Sequence, residues 1–546
     1  MTREDTQIRQ RAPTFKNSGY SEGGASLTSK ILRTFNPLKL SPKSDIDTNL
    51  EILRNRASDM AINTPIGAAA INTSASYVIG AGLSVRPRPK FDILGIDAKT
   101  AREWSEKTIE EFKLWASTVD CDVCRRNNFY ELQRIIFTSQ LVDGDAFALF
   151  KRKLPTNRNP YTLRLQLLEA NRVSNPLDGS VIGIYHHNVE ARAENGNRIV
   201  SGIEINNDGE VLAYYVSNRV PNDILGSDEI TKWVRVKAFG ELGGLPNMLQ
   251  VCRDSRPDQF RGVPLLAPVI ETLKQTSRYS SAELASAIIK SFFSIFFIQQ
   301  ENSRTLDDVL GAGIATNINE EDGNEKVVDT SEYHLGPGTL NALPKGVDVK
   351  AIDSGKAQSN FGAFIQELVK QIGAGLNIPY EVLMKSFTAS YSASRAALLQ
   401  AEKEFEQSRK CFIFDFVQPV YEMWLVEAVA SGRISAPGFF NDPLVRAAWS
   451  AAEWYAPVSG QLDPEKELQG AQLRIALGLS THEKEAAELT GTDFTENVKK
   501  LLEEQEMMKD LLPQTTETPS NGSNNTEENG DEEGEDAHQE TDSREN

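Results

Sequence analysis

The tightest pairing of metal-capable side chains in this 546-residue chain is Cys121-Asp122-Val123-Cys124. Two thiolates at that spacing supply half of a tetrahedral zinc site or a redox-active dithiol. No second pair and no nearby histidine completes the set, so free thiols are the simpler reading. Asp143-Gly144-Asp145 offers two carboxylates to a divalent cation. Joined by a histidine, they would suit a metal-dependent hydrolase that binds metal and loses activity on Asp145→Asn. No histidine or glutamate follows at short spacing, and a turn entering a strand accounts for the same residues. His186-His187 lies in a β-rich stretch, where adjacent side chains point to opposite faces and cannot share one ion.

Phosphate-binding and nucleophile motifs are absent from the sequence. There is no GxxxxGK[ST] loop and no GxSxG elbow. Gly336-Pro337-Gly338 fails as a dinucleotide fingerprint, because proline and the missing third glycine spoil the turn. No catalytic residue, metal or cofactor is therefore expected.

The elements that must be positioned are easier to read. From Gln358 to Gly375 the apolar residues Phe361, Phe364, Ile365, Leu368, Val369 and Ile372 recur at helical spacing and form one stripe, which needs a partner surface. Asn377-Ile378-Pro379-Tyr380 stops that helix. A small-residue run, Ser386 to Ser394, follows, and a second long helical pattern runs from Arg395 toward Ala430. Upstream, a helix is expected to begin near Pro264 and carry Leu266, Ile270, Leu273 and Leu284 toward Ile289, which supplies the partner surface. Phe292 to Ile298 reads as a strand, Glu301 to Glu332 as an acidic, polar excursion, and Tyr333 to Ile352 as turns and short strands. A helix goes out, a small β module intervenes, and a helix returns.

The N-terminal half reads as α+β. Leu50 to Tyr77 is helical with a break or kink at Pro65, Leu83 to Pro87 a short strand, and Ala101 to Ser117 a helix whose Trp104, Ile109, Phe112 and Trp115 belong to a core. Phe129 to Val142 is helical, and Ala146 to Lys151 is a strand. From Leu163 to Arg253 the pattern is β, with Ile203-Glu204-Ile205 and Val211 to Tyr215 forming a hairpin across Asn206 to Gly209.

The run IPYEVLMKSFTASYSASRAALLQAEKEF, followed by QPVYEMWLVEAVASGRI, resembles the signature of the lambda-like phage portal proteins. The resemblance continues upstream through RGVPLLAPVIETLKQTSRYSSAEL, YHLGPGTLNALPKGVDVKAIDSG and GDAFALF, and covers roughly Asn49 to Lys509. It implies an α+β portal-like subunit with these parts: a flexible basic arm (1–48), an α+β wing (49–262), a first stem helix (263–291), a β-containing clip (292–355), a second stem helix (356–376), a tunnel loop (377–395), and a spine helix with helical crown (396–512) before an acidic tail (513–546). Stem packing then falls to Leu266, Ile270, Leu273, Phe361, Phe364, Ile365, Leu368 and Ile372, and proximity to DNA to Lys385, Phe387, Thr388, Ser390, Tyr391, Ser392 and Arg395. The bland reading has Phe387 and Tyr391 packing on a neighbouring subunit and Lys385 solvating a helix end.

The same resemblance implies a non-enzymatic ring homo-oligomer of about a dozen copies, a dodecamer, at one capsid vertex. Its partners would be double-stranded DNA in transit, the large terminase subunit, the major capsid and scaffold proteins, and head-tail connector proteins. Assembly would take place in the host cytoplasm and the product would reside in the virion.

Composition fits a conduit better than a nucleic-acid clamp. The net charge is −19, which opposes broad contact with a phosphate backbone. From Glu517 onward 11 acidic residues face Arg544 alone, so −10 of the total lies in a tail expected to be disordered. Met1 to Asp45 carries 8 Lys/Arg against 4 Asp/Glu and reads as a loosely held arm. Four cysteines and no signal peptide suggest a reducing cytoplasm. The most apolar window, Ile288 to Ile298, is too short for the ~20 residues of a membrane helix. Length alone suggests about three or four domains.

Overall fold

The computed structural model describes residues 24–26, 29–176, 191–221, 231–241, 243–291, 295–297, 340–342, 361–387, 390–456, 464–492 and 494–509. His186-His187, the excursion 301–332, Gly336-Pro337-Gly338 and the acidic tail lie outside them. The chain divides into two compact units, Met1–Gly460 and Gln461–Asn546, fewer than length suggests. The reason is that one continuous apolar core runs through the first unit from Ala57 to Trp449.

The first unit opens with two helices, α1 (Thr48–Asn63) and α2 (Pro65–Val78). Thr64 separates them in extended conformation, and its hydroxyl accepts from the Gly67 amide at 3.3 Å. Pro65 therefore sits where its missing N–H costs nothing, at the first helical position. Strand β1 (Ser84–Pro87), the single turn α3 (Phe91–Leu94), α4 (Ala98–Ala116) and α5 (Phe129–Asp143) follow. Asn128 and Glu131 form a reciprocal capping box on α5. On α4, Trp104, Phe112 and Trp115 recur at helical spacing and are buried. Phe112 meets Phe129, Tyr421 and Trp424 edge-on at 5.0–5.8 Å, the geometry that opposed ring quadrupoles favour.

Strand β2 (Asp145–Arg152) lies between β3 (Leu163–Glu169) and β9 (Met248–Cys252), antiparallel to both. Its alternation feeds two cores at once. Ala146 and Ala148 face the large core, whereas Phe147 and Leu149 enter a second cluster with Val200, Ile203, Tyr214 and Met248. A strand covered on both faces has to be apolar throughout, which is why AFALF carries no polar residue. The second cluster is roofed by an antiparallel five-stranded sheet in sequence order: β4 (Ala191–Arg192), β5 (Arg198–Val200), β6 (Ile203–Ile205), β7 (Val211–Ser217) and β8 (Trp233–Lys237). The β6–β7 hairpin read from the sequence is present, with Ile203 opposite Tyr214.

Helix α6 (Ile270–Ser291) starts later than Pro264 suggests. The Leu265 amide donates to the Leu141 carbonyl at 2.9 Å, holding that segment against α5, and a 3₁₀ turn, Ala267–Val269, intervenes. Helix α7 (Phe361–Leu376) returns beside it. Tyr279 of α6 lies 5.5 and 5.0 Å from the rings of Phe361 and Phe364, while Val269 touches Gly375, so the two run antiparallel. Between them in sequence, β10 (Ile295–Phe297) pairs in parallel with β11 (Leu340–Ala342).

After α8 (Tyr380–Met384) and α9 (Tyr391–Phe412), a π-helical turn, Ile413–Val417, leads into α10 (Gln418–Ala430) and then α11 (Pro443–Ser450). The sequence reads as helical throughout here, but β12 (Ala452–Tyr455) pairs antiparallel with β1. Its partner lies more than 350 positions away, so no local pattern announces it. The second unit comprises α12 (Pro464–Ala476), α13 (His482–Thr490) and α14 (Phe494–Lys509). A bidentate pair from Arg474 to the buried Glu485, at 2.8 and 2.6 Å, joins α12 to α13.

One polar cluster joins these layers. Asp145 is fully buried and takes Arg54 at 2.7 Å and Arg261 at 2.6 and 3.2 Å. Arg54 also donates to the Asp143 carbonyl, and Arg261 to the carbonyls of Ala170, Val173 and Ser201. Gly144 (φ 91°) and Gly262 pass so closely that a Cβ on Gly262 would lie 1.9 Å from the Gly144 oxygen. Burial alone would raise the Asp145 pKa, but Arg261 and Arg54 outweigh it and hold the carboxyl below its usual range. That contribution to stability is present above the ordinary carboxylate pKa and is lost as pH falls through the depressed one. Asp145→Asn leaves two buried guanidiniums uncompensated. It is expected to destabilise the first unit by ~3–5 kcal/mol, read as a shifted urea or thermal midpoint at pH 7.

Candidate functional site

The segment between α7 and α9 is built by two helix stops of one kind. Asn377 is left-handed (φ 56°), and the Ile378 amide reaches back to the Gly373 carbonyl at 2.9 Å. This is the six-to-one closure of a Schellman motif, and it requires Gly373, whose Cβ would lie 2.5 Å from the Ile378 oxygen. Pro379 then precedes α8. Lys385 ends that helix, again left-handed (φ 53°), with the Ser386 amide returning to the Glu381 carbonyl at 3.0 Å. A lysine in a conformation that favours glycine stores backbone strain of order 1–2 kcal/mol. Its ammonium is exposed beside a helix C-terminus, where positive charge is stabilising.

Ser390 then caps α9, its hydroxyl accepting from the Ala393 amide at 3.4 Å. Because of that cap, α9 begins at Tyr391 and not at Arg395, and the segment 377–395 holds two helical pieces where the sequence suggests one loop. Phe387 is half-exposed, Ser390 and Ser392 are exposed, and Arg395 is half-buried one turn into α9. Thr388 and the Tyr391 side chain lie outside the described atoms. Helix α9 is fixed from behind: Arg409 donates to the Tyr77 and Val78 carbonyls at 2.6 and 2.9 Å, and Phe405 stacks on Tyr77 at 5.0 Å. An open cleft of about 430 Å³ separates the end of α7 from α9, with Lys370, Tyr380 and Lys403 on its walls.

The helix pair that carries this segment is buried at one end only. Leu266, Val269 and Leu273 share the large core with Val369, Ile372 and Leu376. Ile270 and Ile365 are half-buried against it, Leu368 is half-buried, and Phe361 meets the Tyr279 ring. Farther out, Leu284 is 63% exposed, Ile288 47% and Phe364 49%.

The other candidate residues are structural. Cys121 is buried, with its thiol pushed up by desolvation, and Cys124 is exposed. Between them the Asp122 carboxylate accepts from the amides of Cys124, Arg126 and Asn127 at 2.9–3.3 Å, so this stretch is a capped turn. Among the described residues no group of three or more His, Cys, Asp or Glu is placed to hold a metal. The hydrolase reading of Asp143 and Asp145 is not supported, because Asp145 is saturated by Arg54, Arg261 and the Gly262 amide. Both arginines escape sequence reasoning: they stand 91 and 116 positions from their partner.

Comparison with known proteins gives the fold a relationship. The family model described as phage portal protein, lambda family, matches residues 28–409. Portal protein B of Escherichia phage lambda is 26% identical over 496 residues, which cover 88% of each chain. The portal protein of Escherichia phage N15 is 25% identical over 495 residues, again 88% of each. A chain from the solved virion of a native gene transfer agent particle is 12% identical, with a TM-score of 0.38, over 80% of this chain and 92% of its own.

Asp143 gives this region a pH dependence opposite to that of Asp145. Burial, with Glu169 and Asp145 nearby, raises its carboxyl to about 6, against the pull of Arg54. The folded chain therefore takes up a proton between that value and the ordinary ~4, and stability rises as pH falls across the interval. Asp143→Asn mimics the protonated form. It is expected to gain on the order of 1 kcal/mol at pH 7 and to flatten the stability profile between pH 4 and 6, as followed by urea unfolding.

Proposed function

Because the chain belongs to the lambda family of phage portal proteins, we propose that about a dozen copies close into a ring whose bore passes double-stranded DNA during packaging and ejection. The observation that carries this reading is the α6–α7 pair. Leu284 is 63% exposed toward the far end of two long helices and Phe364 keeps half its surface in water beside Tyr279, and the same face repeated around an axis would cover them. In this reading α6 and α7 are the stem, and the segment around β10 and β11 is the clip, which docks the large terminase subunit and later the head-tail connector proteins. The segment 377–395 lines the bore, and the wing meets capsid and scaffold proteins. The assembled ring occupies a capsid vertex of the virion.

Charge supports a passage and opposes a grip. Each phosphate neutralised by a fixed cation releases counterions and tightens binding, so a lumen rich in lysine would hold a duplex that has to slide. Among the described side chains of 377–395, Asn377, Met384, Lys385, Ser390 and Ser392 are exposed beside the half-exposed Phe387, and Lys385 is the one exposed cation. One cation per copy, repeated around a ring, gives a single belt of weak and exchangeable phosphate contacts. The exposed face of α7 carries its own ion pair, Lys370 with Glu367 at 2.7 Å.

Light scattering or negative-stain imaging of the purified chain is expected to show a ring with a central hole. A monomer at high concentration would sink the reading. In particles, Lys385→Ala is expected to leave ring mass and DNA entry intact while weakening retention of the packaged end several-fold. Lys385→Gly is the second arm: it removes the same charge and also relieves the left-handed strain, so the purified protein should melt higher than Lys385→Ala. Equal retention in all three proteins would remove Lys385 from the bore.

A further inference from the structure

We infer that the tip of the β2–β3 hairpin, Lys151–Arg158, with Arg126 beside its base, is a second surface for duplex DNA, separate from the segment 377–395. The sequence marks the stretch first. Ala146 to Leu168 runs 23 residues without an Asp or Glu and carries Lys151, Arg152, Lys153, Arg158 and Arg164, in a chain whose 77 acidic residues outnumber its 58 Lys and Arg. The ladder of β2 and β3 ends where Arg152 faces Leu163. Beyond it the two strands stay joined, with the Lys153 amide donating to the Thr162 carbonyl at 2.9 Å, and they close where Thr156 and Asn159 exchange backbone bonds at 2.8 and 3.2 Å. Lys151 to Arg158 are exposed without a break, and Leu154 is 88% so. The tip is a basic ribbon that its own subunit leaves uncovered.

The acids beside this ribbon are already matched. Glu427 takes Arg152 and the Thr162 and Leu163 amides, and Glu111 takes Arg433 and the Tyr161 hydroxyl. The Lys153 ammonium donates to the Val123 carbonyl at 2.8 Å and the Val123 amide to the Leu165 carbonyl at 2.9 Å, which brings the 120–127 turn against the hairpin. In that turn Asp120 takes Arg125, and the buried Asp122 takes three amides of the turn itself. Arg126, Lys151 and Arg158 remain exposed, with no ion-pair partner among the described residues. Unspent cations of this kind release counterions when they meet phosphates. The shape favours a duplex: a two-stranded ribbon enters a major groove ~12 Å wide, and the exposed Thr156 and Asn157 at its tip are neutral side chains of the sort that join Arg and Lys on phosphate oxygens. An acidic protein partner would need an apolar centre to the contact, for which the tip offers Leu154 and Pro155 alone.

This contact rests on the portal reading, which makes duplex DNA a partner of the chain, and one experiment separates the two. The assembled full chain is titrated with a short labelled duplex across a salt series and followed by fluorescence anisotropy. Arg126→Gln/Lys151→Gln/Arg158→Gln removes no ion pair of the fold, and it is expected to bind about tenfold more weakly or worse at low salt, with a log–log salt slope shallower by about 2–3. Arg126→Lys/Lys151→Arg/Arg158→Lys keeps the charges and is expected to bind as the parent does, as is Lys385→Ala. A ring whose Gln variant keeps the parent's affinity and slope, or a parent that binds no duplex at low salt, overturns the ribbon and leaves the ring. So does competition by polyglutamate as strong as by unlabelled duplex, or loss of ring mass in the Gln variant, since either makes the partner a protein. A parent that stays monomeric yet loses duplex binding in the Gln variant keeps the ribbon and overturns the ring.

Discussion

A single buried carboxylate sets the geometry of the first unit. Asp145 begins β2, the strand that both cores share, and its two oxygens are held by arginines from opposite ends of the N-terminal half. Arg54 brings α1 to the strand, while Arg261 brings the segment that becomes α6 and, through the carbonyls of Ala170, Val173 and Ser201, the turn after β3 and the β5–β6 turn. Such a cluster contributes little net stability compared with an apolar plug of the same volume, but it tolerates one arrangement only. The close passage of Gly144 and Gly262 follows, since no side chain fits between backbones held so near. The direction in which the α6–α7 pair leaves the core is thus constrained at its root by charge as well as by apolar contact.

Along that pair the packing changes character. At the root, Leu273 and Ile372 sit in a core with a dozen other elements and gain the ~1.5–3 kcal/mol of a fully buried side chain. Toward the far end the same helical stripe is thinly covered, with Leu284 63% and Phe364 49% exposed beside Tyr279. Folding of the root and assembly of the tip are therefore distinct problems met by one amphipathic pattern. A subunit stable enough to persist alone can still be completed by copies of itself.

What was legible in the sequence follows from the range of each interaction. The Thr64–Pro65 break, the β6–β7 hairpin and the α7 stripe depend on neighbours within a few residues, so their residue types declare them. The collinear run from Ile378 to Ile434 carried the family relationship for the same reason: it is long, local and ordered. The candidate segment was half legible. Its small residues promised a loop, yet Ser390 caps a helix four residues earlier than expected, and Lys385 ends another in a conformation that sequence statistics reserve for glycine. What stayed hidden is long-range. The β1–β12 pairing and the arginines of Asp145 unite positions tens to hundreds apart, and a carboxylate pair beside glycine looks the same whether it awaits a metal or is already neutralised.

That last ambiguity bears on function. In a chain with 77 acidic residues, any two close carboxylates suggest metal chemistry, and only the partner census decides. Here three inward acids are consumed by structure: Asp145 by Arg54 and Arg261, Glu204 by Arg235 with Asn195 and Asn197, and the half-buried Glu427 by Arg152 and the Thr162 and Leu163 amides. Glu204 is held down to about 2, chiefly by its hydrogen bond from Arg235, and stays ionised at any physiological pH. Ions fixed in this way brace a frame and leave no proton to exchange with a substrate. In the proposed ring, where a stiff polyanion would move past each subunit, that bracing has a use: acids paired inside would give rigidity, and sparse cations along the bore would give passage.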